Sequence, residues 1–167
     1  MIPKPIPGKM YQREAFVNVY AEALPLLELH AKEIAHYQDI PLKVDVERYK
    51  LADEAGSLRI YTARTGATGA LIGYAAFFIA FNPHFASSLQ AVQDVLYVQP
   101  EWRGLMVGYR LIRFSENELR REGVQAVYQH EKIAHPELGQ LLRRMGYEAV
   151  DTIYAKRLDS PLRIVKG

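Results

Sequence analysis

The run Val98-Gln99-Pro100-Glu101-Trp102-Arg103-Gly104-Leu105-Met106-Val107-Gly108 joins the end of one element to the start of another, and it restricts the fold more than any other stretch. Upstream, Gln90-Ala91-Val92-Gln93-Asp94-Val95-Leu96-Tyr97-Val98 reads as a strand. Downstream, Tyr109 to Glu122 reads as a helix that Gly123 stops. Such a junction is also an anion site. The first amides of a helix have no intrahelical partners and the macrodipole is positive there, so backbone N–H groups alone can hold a pyrophosphate. The glycines let the backbone approach closely.

The flanking sequence supplies the other layers. Gln12 to His36 carries apolar residues at helical spacing, and Pro25 is expected to split or kink it. A shorter helix is predicted from Val46 to Ala55, with Asp45 as N-cap and Gly56 just past its end. Leu58 to Thr65 and Leu71 to Phe81 read as a hairpin around Gly66-Ala67-Thr68-Gly69, and a loop from Asn82-Pro83-His84 leads to Gln90. The helix from Tyr109 places Leu111, Ile112, Ser115 and Leu119 on one stripe. Val124 to His130 returns as a strand, Pro136 to Met145 forms a helix capped by Gly146, and Tyr147 to Leu158 supplies one or two closing strands. This order predicts an α/β (α+β) fold, a mixed and largely antiparallel twisted sheet flanked by helices, with the strand–loop–helix unit central. Residues 1–11, broken by prolines, read as an extended arm, and residues 12–167 as a single domain.

Composition narrows the function classes. A chain of 167 residues, 49% hydrophobic and 24% charged, is close to globular averages and fits one core. A net charge of +2 does not call for a nucleic-acid partner, even with Arg120-Arg121 and Arg143-Arg144 concentrating charge locally. The absence of cysteine excludes disulfide frameworks, thiol nucleophiles and Cys-based zinc sites. No apolar core suited to a signal peptide follows Met1, and the longest apolar run, Ala70 to Phe81, is well short of the roughly 20 residues that span a bilayer. A cytoplasmic protein with no membrane anchor is expected.

Val98-x-Pro100-x-x-Arg103-Gly104-x-x-Val107-Gly108 resembles the acyl-CoA loop of the GNAT acetyltransferase superfamily, written Gln/Arg-x-x-Gly-x-Gly/Ala. Arg103 and Gly108 match the outer positions. Met106 stands at the middle glycine, where its side chain either narrows the pyrophosphate channel or points away while its amide still binds. A second segment, His135 to Tyr147, resembles the late helix Asn-x-x-Ala-x-x-x-Tyr-x-x-x-Gly-Phe. Gly146-Tyr147 fits its ending, while His135 replaces an asparagine that touches the cofactor and Leu142 replaces a tyrosine that protonates the departing thiolate. Leu142 has no proton to give, so that role would pass to water, to none, or to another group, for which His135, Tyr128 and Tyr154 are the candidates. The runs Val107 to Phe114 and His135 to Gly139 resemble acetyltransferase-like proteins of tailed bacteriophages and their bacterial hosts.

The resemblance implies an N-acetyltransferase that moves an acetyl group from acetyl-CoA directly to a primary amine, on a small molecule or a protein. Main-chain amides near Leu96 and Val98 would polarise the thioester carbonyl. Arg103, Gly104, Leu105, Met106, Val107 and Gly108 would hold the pyrophosphate, with Tyr109 along the CoA arm. Asp94, His135 and Tyr154 are the candidate catalytic residues. Strict alternation puts Asp94 with Val92, Leu96 and Val98, and a carboxylate on an apolar face suits a general base. It is equally well explained as a loop cap, an arginine partner, or a residue that a bulge turns to solvent. His135 suits acid or base work, or a loop hydrogen bond. Glu28, Glu33 and Asp39 are possible recognisers of a cationic acceptor, or ordinary helix charges. His130 and His135 have no third ligand at a suitable spacing, so no metal is expected. Two other readings stand beside this one. The first is a catalytically degenerate domain of the same fold that binds acyl-CoA or a macromolecular partner without chemistry. The second is a basic-patch protein that uses its Arg pairs. Pairing through the last strands would make a homodimer.

Overall fold

The computed structural model describes residues 10–159, and most of the expected N-terminal arm lies outside them. The chain divides into two compact units, residues 1–136 and 137–167. In the first unit five strands lie in sequence order. They are β1 (Tyr11–Glu14), β2 (Leu58–Arg64), β3 (Leu71–Asn82), β4 (Phe85–Val98) and β5 (Ala126–Tyr128). Neighbours are antiparallel from β1 to β4, and β5 is parallel to β4. Parallel pairing needs a crossover. It is supplied by α3 (Val107–Arg121) between the two strands, and α1 (Phe16–Ile34) and α2 (Val46–Glu54) fill the connection from β1 to β2. The architecture is therefore the expected mixed, mostly antiparallel sheet flanked by helices.

Each face of the sheet has its own core. On one, Phe16, Val19, Ala23 and Leu26 of α1 meet Leu58, Ile60, Leu71, Tyr74, Ala76 and Tyr97, and Val46, Tyr49 and Ala52 of α2 pack beside them. On the other, Val107, Leu111 and Leu119 of α3 meet Tyr61, Ala63, Ile72, Ala75, Phe77, Ala91 and Val98. Helices on both faces explain why β3 is apolar almost throughout: neither side-chain parity of that strand faces water over Leu71 to Phe77. The α3 stripe is the expected one, with Val107 added at its start. Asp45 caps α2 as anticipated, its Oδ1 accepting from the Arg48 amide at 3.1 Å.

Several boundaries differ from the sequence-based expectations. Tyr11 and Gln12 belong to an edge strand, not to an arm and a helix, because β1 pairs with Thr62 and its neighbours on β2. Glu14 is buried at 2% exposure and is satisfied by Arg64 of β2 through Nε–Oε1 at 2.7 Å and Nη2–Oε2 at 3.2 Å. Thr62 and Gln12 donate to the same carboxylate, and Arg64 reaches on to Glu22 and to the Gly69 carbonyl. A buried ion pair survives when its remaining hydrogen-bonding capacity is met in this way. Helix α1 runs through Pro25 unbroken. The expected loop after His84 is instead the first half of β4, joined to β3 by a tight turn in which Asn82 Oδ1 accepts from the His84 and Phe85 amides.

In the second unit α4 (Glu137–Arg144) buries Gly139 and Leu142. Gly146 follows it at φ +92°, as a C-terminal glycine should. Residues 147–159 form no strand, so the closing strands expected from Tyr147 to Leu158 are absent there. A β-rich composition makes no strand without a paired edge. None of the described helices is long and apolar enough to cross a membrane.

Candidate active site

Two irregularities in β4 shape the region around the strand–loop–helix junction. The first is a bulge. Ala76 of β3 faces Val95 while the next residue, Phe77, faces Gln93, so Asp94 is the extra residue that pairs with neither. The insertion reverses parity. Before it, Leu89 and Ala91 lie on the α3 side; after it, Leu96 and Val98 do, while Val95 and Tyr97 face α1 and α2. Asp94 and Val95 therefore both line a cavity on the α1–α2 side. This corrects the strict alternation that grouped Asp94 with Leu96 and Val98.

The second irregularity is a split. β5 pairs with β4 only at Gln90–Ala126, Ala91–Val127 and Val92–Tyr128. From Gln93 onward that edge of β4 has no ladder partner among the described residues. Just past β5, both polar atoms of the Gln129 amide are buried without a hydrogen-bond partner among the described residues. An open strand edge beside a buried, unanswered amide suits an extended chain that itself carries amides.

The cavity has a volume of about 420 Å³, within the usual range for small-molecule sites. Phe16, Val19, Tyr20 and Ala23 of α1 line it, with Tyr49 of α2 and with Ile60, Tyr74, Ala76 and Phe78 of the sheet. Phe16 stacks on both Tyr20 and Tyr49, with centroids at 5.1 and 5.2 Å. The polar lining is sparse. Tyr49 Oη donates to Asp94 Oδ2 at 2.6 Å. Burial, followed by the hydrogen bond to Asp94, pushes the Tyr49 phenol well up, so it remains a donor. Tyr74 is 3% exposed, yet its hydroxyl has no partner among the described residues.

At the end of β4 the chain passes through a 3-10 turn, Pro100–Trp102, and enters α3. Gly104 has φ +79° and Met106 has φ +63°, ψ +6°. Met106 thus adopts the left-handed conformation that a glycine at this place would take freely, with its side chain half-exposed. It gives α3 no side-chain cap, so the amides of the first turn remain for a ligand. Upstream, Gly73 faces Val98 in the ladder, and a β-carbon there would lie 2.9 Å from the Tyr97 carbonyl oxygen. Only glycine lets β3 come this close to the end of β4.

Arg103 is not directed at the loop's anion site. Its Nε donates to the Val98 carbonyl at 2.8 Å, its two Nη atoms hold Glu33 at 2.7 and 2.8 Å, and its guanidinium lies 5.6 Å from the Tyr97 ring centroid. The hydrogen bond from Arg103 holds the Glu33 carboxyl below its usual range. His135 Nε2 hydrogen-bonds the Glu33 carbonyl at 3.1 Å. His30 packs on Tyr97 at 4.9 Å, and burial lowers it to about 4, opposed by Glu33 and aided by Arg103, Lys132 and His135.

The structure thus brings Asp94 to the cavity and places Leu96, Val98 and Arg103 to Tyr109 along the strand end and helix entry. His135 stands apart from the cavity lining, in the Glu33–His30 cluster. Tyr154 belongs to the second unit and is 91% exposed. Glu28, Glu33 and Asp39 do not line the cavity. Tyr49, Tyr74 and Arg48, absent from the sequence-based candidates, do line it, and no local motif marks them.

A model of the acetyltransferase (GNAT) family matches residues 16–147. No curated protein matches the chain. Among solved structures it is similar to a ribosomal-protein-alanine N-acetyltransferase from Brucella melitensis biovar Abortus 2308, with 16% identity, 88% of this chain and 98% of that chain covered, and a TM-score of 0.66. It is similar to an aminoglycoside acetyltransferase from an uncultured soil metagenomic sample, in complex with sisomicin, with 15% identity, 88% and 95% covered, and a TM-score of 0.66. It is also similar to a predicted acetyltransferase with acetyl-CoA from Clostridium acetobutylicum, with 12% identity, 89% and 95% covered, and a TM-score of 0.68. At these identities the likeness is one of fold.

Proposed function

Because this chain belongs to the GNAT acetyltransferase family and is an N-acetyltransferase of that class, we propose that it moves the acetyl group of acetyl-CoA directly to a primary amine seated in the α1–α2 cavity. The observation that carries this reading is the bulge that sets Asp94 in the cavity wall, on the strand that leads into the uncapped start of α3. Acetyl-CoA, when bound, supplies the activated acyl group.

The residues fit that co-substrate. The open edge of β4 beside Leu96 and Val98 and the unanswered Gln129 amide would take the pantetheine arm, and the first-turn amides from Val107 to Tyr109 would take the pyrophosphate. Gly104, Leu105 and Met106 shape the approach as backbone. Arg103 serves the same end indirectly, fastening the end of β4 to α1 through Val98 and Glu33.

Asp94 acts as general base. It takes a proton from the acceptor ammonium, directly or through water, and passes it to solvent, to which it is exposed. The nitrogen lone pair then forms the N–C bond as the C–S bond breaks. Sulfur leaves as thiolate, and the second proton released from nitrogen balances it through solvent. Main-chain amides near Leu96 and Val98 stabilise the charge that builds on the carbonyl oxygen. Tyr49 orients the base through its 2.6 Å hydrogen bond. We assign His135 a positioning role on Glu33 and no proton transfer to Tyr154. Residues 12–167 would act as one domain, a reading supported by the family match, which runs across both compact units.

The test is acetyl-CoA binding by calorimetry together with release of free CoA thiol over a panel of primary amines. Micromolar binding and amine-dependent release, both with a 1:1 acetylated product, are expected. Failure to bind acetyl-CoA would overturn the proposal.

A further inference from the structure

The charges in the cavity lining discriminate among amines. Four charged residues line it: Lys43, Asp45, Arg48 and Asp94. The two acids are already engaged, Asp45 with the Arg48 amide as the α2 cap and Asp94 with the Tyr49 hydroxyl. The two cations are not. Lys43 and Arg48 make no ion pair with any described residue, and both are exposed, so they stand on the solvent side of the cavity. Asp94 is exposed as well, the rest of the lining is mostly aromatic and aliphatic, and the Tyr74 hydroxyl is buried without a partner among the described residues.

A polycationic acceptor would be repelled by Lys43 and Arg48, which no described carboxylate pairs. An uncharged amine would leave Lys43 and Arg48 unanswered. A molecule that carries both an ammonium and an anion on an apolar body suits this lining: ammonium at Asp94, body against Phe16, Tyr49 and Phe78, anion at Lys43 and Arg48. Given the proposed activity, we infer that the acceptor is a primary amine bearing an anionic group, carboxylate or phosphate, on an apolar or aromatic body. Arg48 supplies a planar fork suited to either oxyanion, and Lys43 a mobile point charge.

Two matched pairs of probes test this. They are phenylalanine against phenethylamine, and 4-(aminomethyl)benzoate against 4-methylbenzylamine, so that the anion is present or absent at a short and a long spacing from the amine. For at least one pair, the carboxylated member is expected to show the higher kcat/KM for thiol release, by roughly ten-fold or more, the effect of a charge-assisted hydrogen bond. K43Q/R48Q should erase that preference, and R48E should reverse it. Calorimetric binding of the same pairs reads the preference without turnover. If no amine is acetylated but the carboxylated probes still bind more tightly and K43Q/R48Q abolishes the difference, the proposed activity fails while the preference of the cavity for an amine bearing an anion stands. If the uncharged members bind and react as well as their carboxylated partners, or the preference survives K43Q/R48Q, the inference is overturned while the transferase reading is untouched. Inorganic phosphate and benzoate, tried as inhibitors, separate the two anion chemistries.

Discussion

Met106→Gly tests whether the loop's departure from the glycine pattern lies in the backbone or in the side chain. Met106 sits at φ +63°, ψ +6°, where an L-residue is disfavoured by about 1–2 kcal/mol. Glycine relieves that strain but makes the unfolded chain freer, which offsets about 0.5–1 kcal/mol of the gain. The side chain is 52% exposed, so its removal sacrifices little buried area. The variant should therefore be more stable by about 0.5–1 kcal/mol, a rise in Tm of roughly 1–4 °C for a chain of this size. Urea unfolding of the wild type, Met106→Gly and Met106→Ala is the assay. Alanine keeps a β-carbon in the same conformation and should gain nothing, which separates backbone strain from loss of the thioether. An equal gain in both variants, or a loss in the glycine variant, would refute the reasoning. The same proteins should bind acetyl-CoA within about three-fold of one another, since the amide that faces the helix entry is common to all.

Other outcomes follow from the site and its supports. Asp94→Asn should lower kcat/KM roughly 10²- to 10⁴-fold with acetyl-CoA affinity unchanged, and Tyr49→Phe should cost less; equal activity of Asp94→Asn at neutral pH would remove the base from the mechanism. Gly73→Ala drives a β-carbon to 2.9 Å from the Tyr97 carbonyl and should destabilise by about 1–3 kcal/mol in urea melts, whereas a neutral change would mean that the strands yield without cost. Glu14→Ala leaves Arg64 buried with only Glu22 and the Gly69 carbonyl to answer it and should cost about 3–5 kcal/mol, read as a lower urea midpoint. His30, at about 4 in the folded chain against an ordinary value near 6.5, binds its proton more readily when unfolded. Stability should thus be complete above pH 6.5 and fall as pH drops towards 4, by roughly 2–3 kcal/mol over that window. His30→Gln should flatten this slope, and an unchanged slope would assign it to other groups.

What the sequence disclosed was local. The α3 stripe, the Asp45 cap, the β2–β3 hairpin and Gly146 after α4 each depend on neighbours within a turn or two, and each is found. The Asp94 bulge stood only as one alternative to strict alternation, because it exists only relative to Ala76 and Phe77 on another strand. The run Tyr11-Gln12-Arg13-Glu14 reads as the end of an arm and the start of a helix until Arg64, 50 residues from Glu14, supplies a partner for the buried carboxylate. The cavity is drawn from α1, the segment before α2, and the sheet, so Tyr49 and Tyr74 acquire meaning only when these are packed together. Tyr147 to Leu158 failed in the opposite direction, since its composition favours strand but no edge pairs with it among the described residues.

The bulge also separates two demands that usually compete for the same residue. Because Asp94 contributes no pair to the ladder, the sheet asks nothing of its side chain, and among the described residues its one hydrogen bond from a side chain is that from Tyr49. A change at this position leaves the ladder intact, and its cost to stability is confined to the lost hydrogen bond from Tyr49, about 0.5–1.5 kcal/mol. The proposed base can therefore be removed without disturbing the strand pairing that shapes the cavity around it.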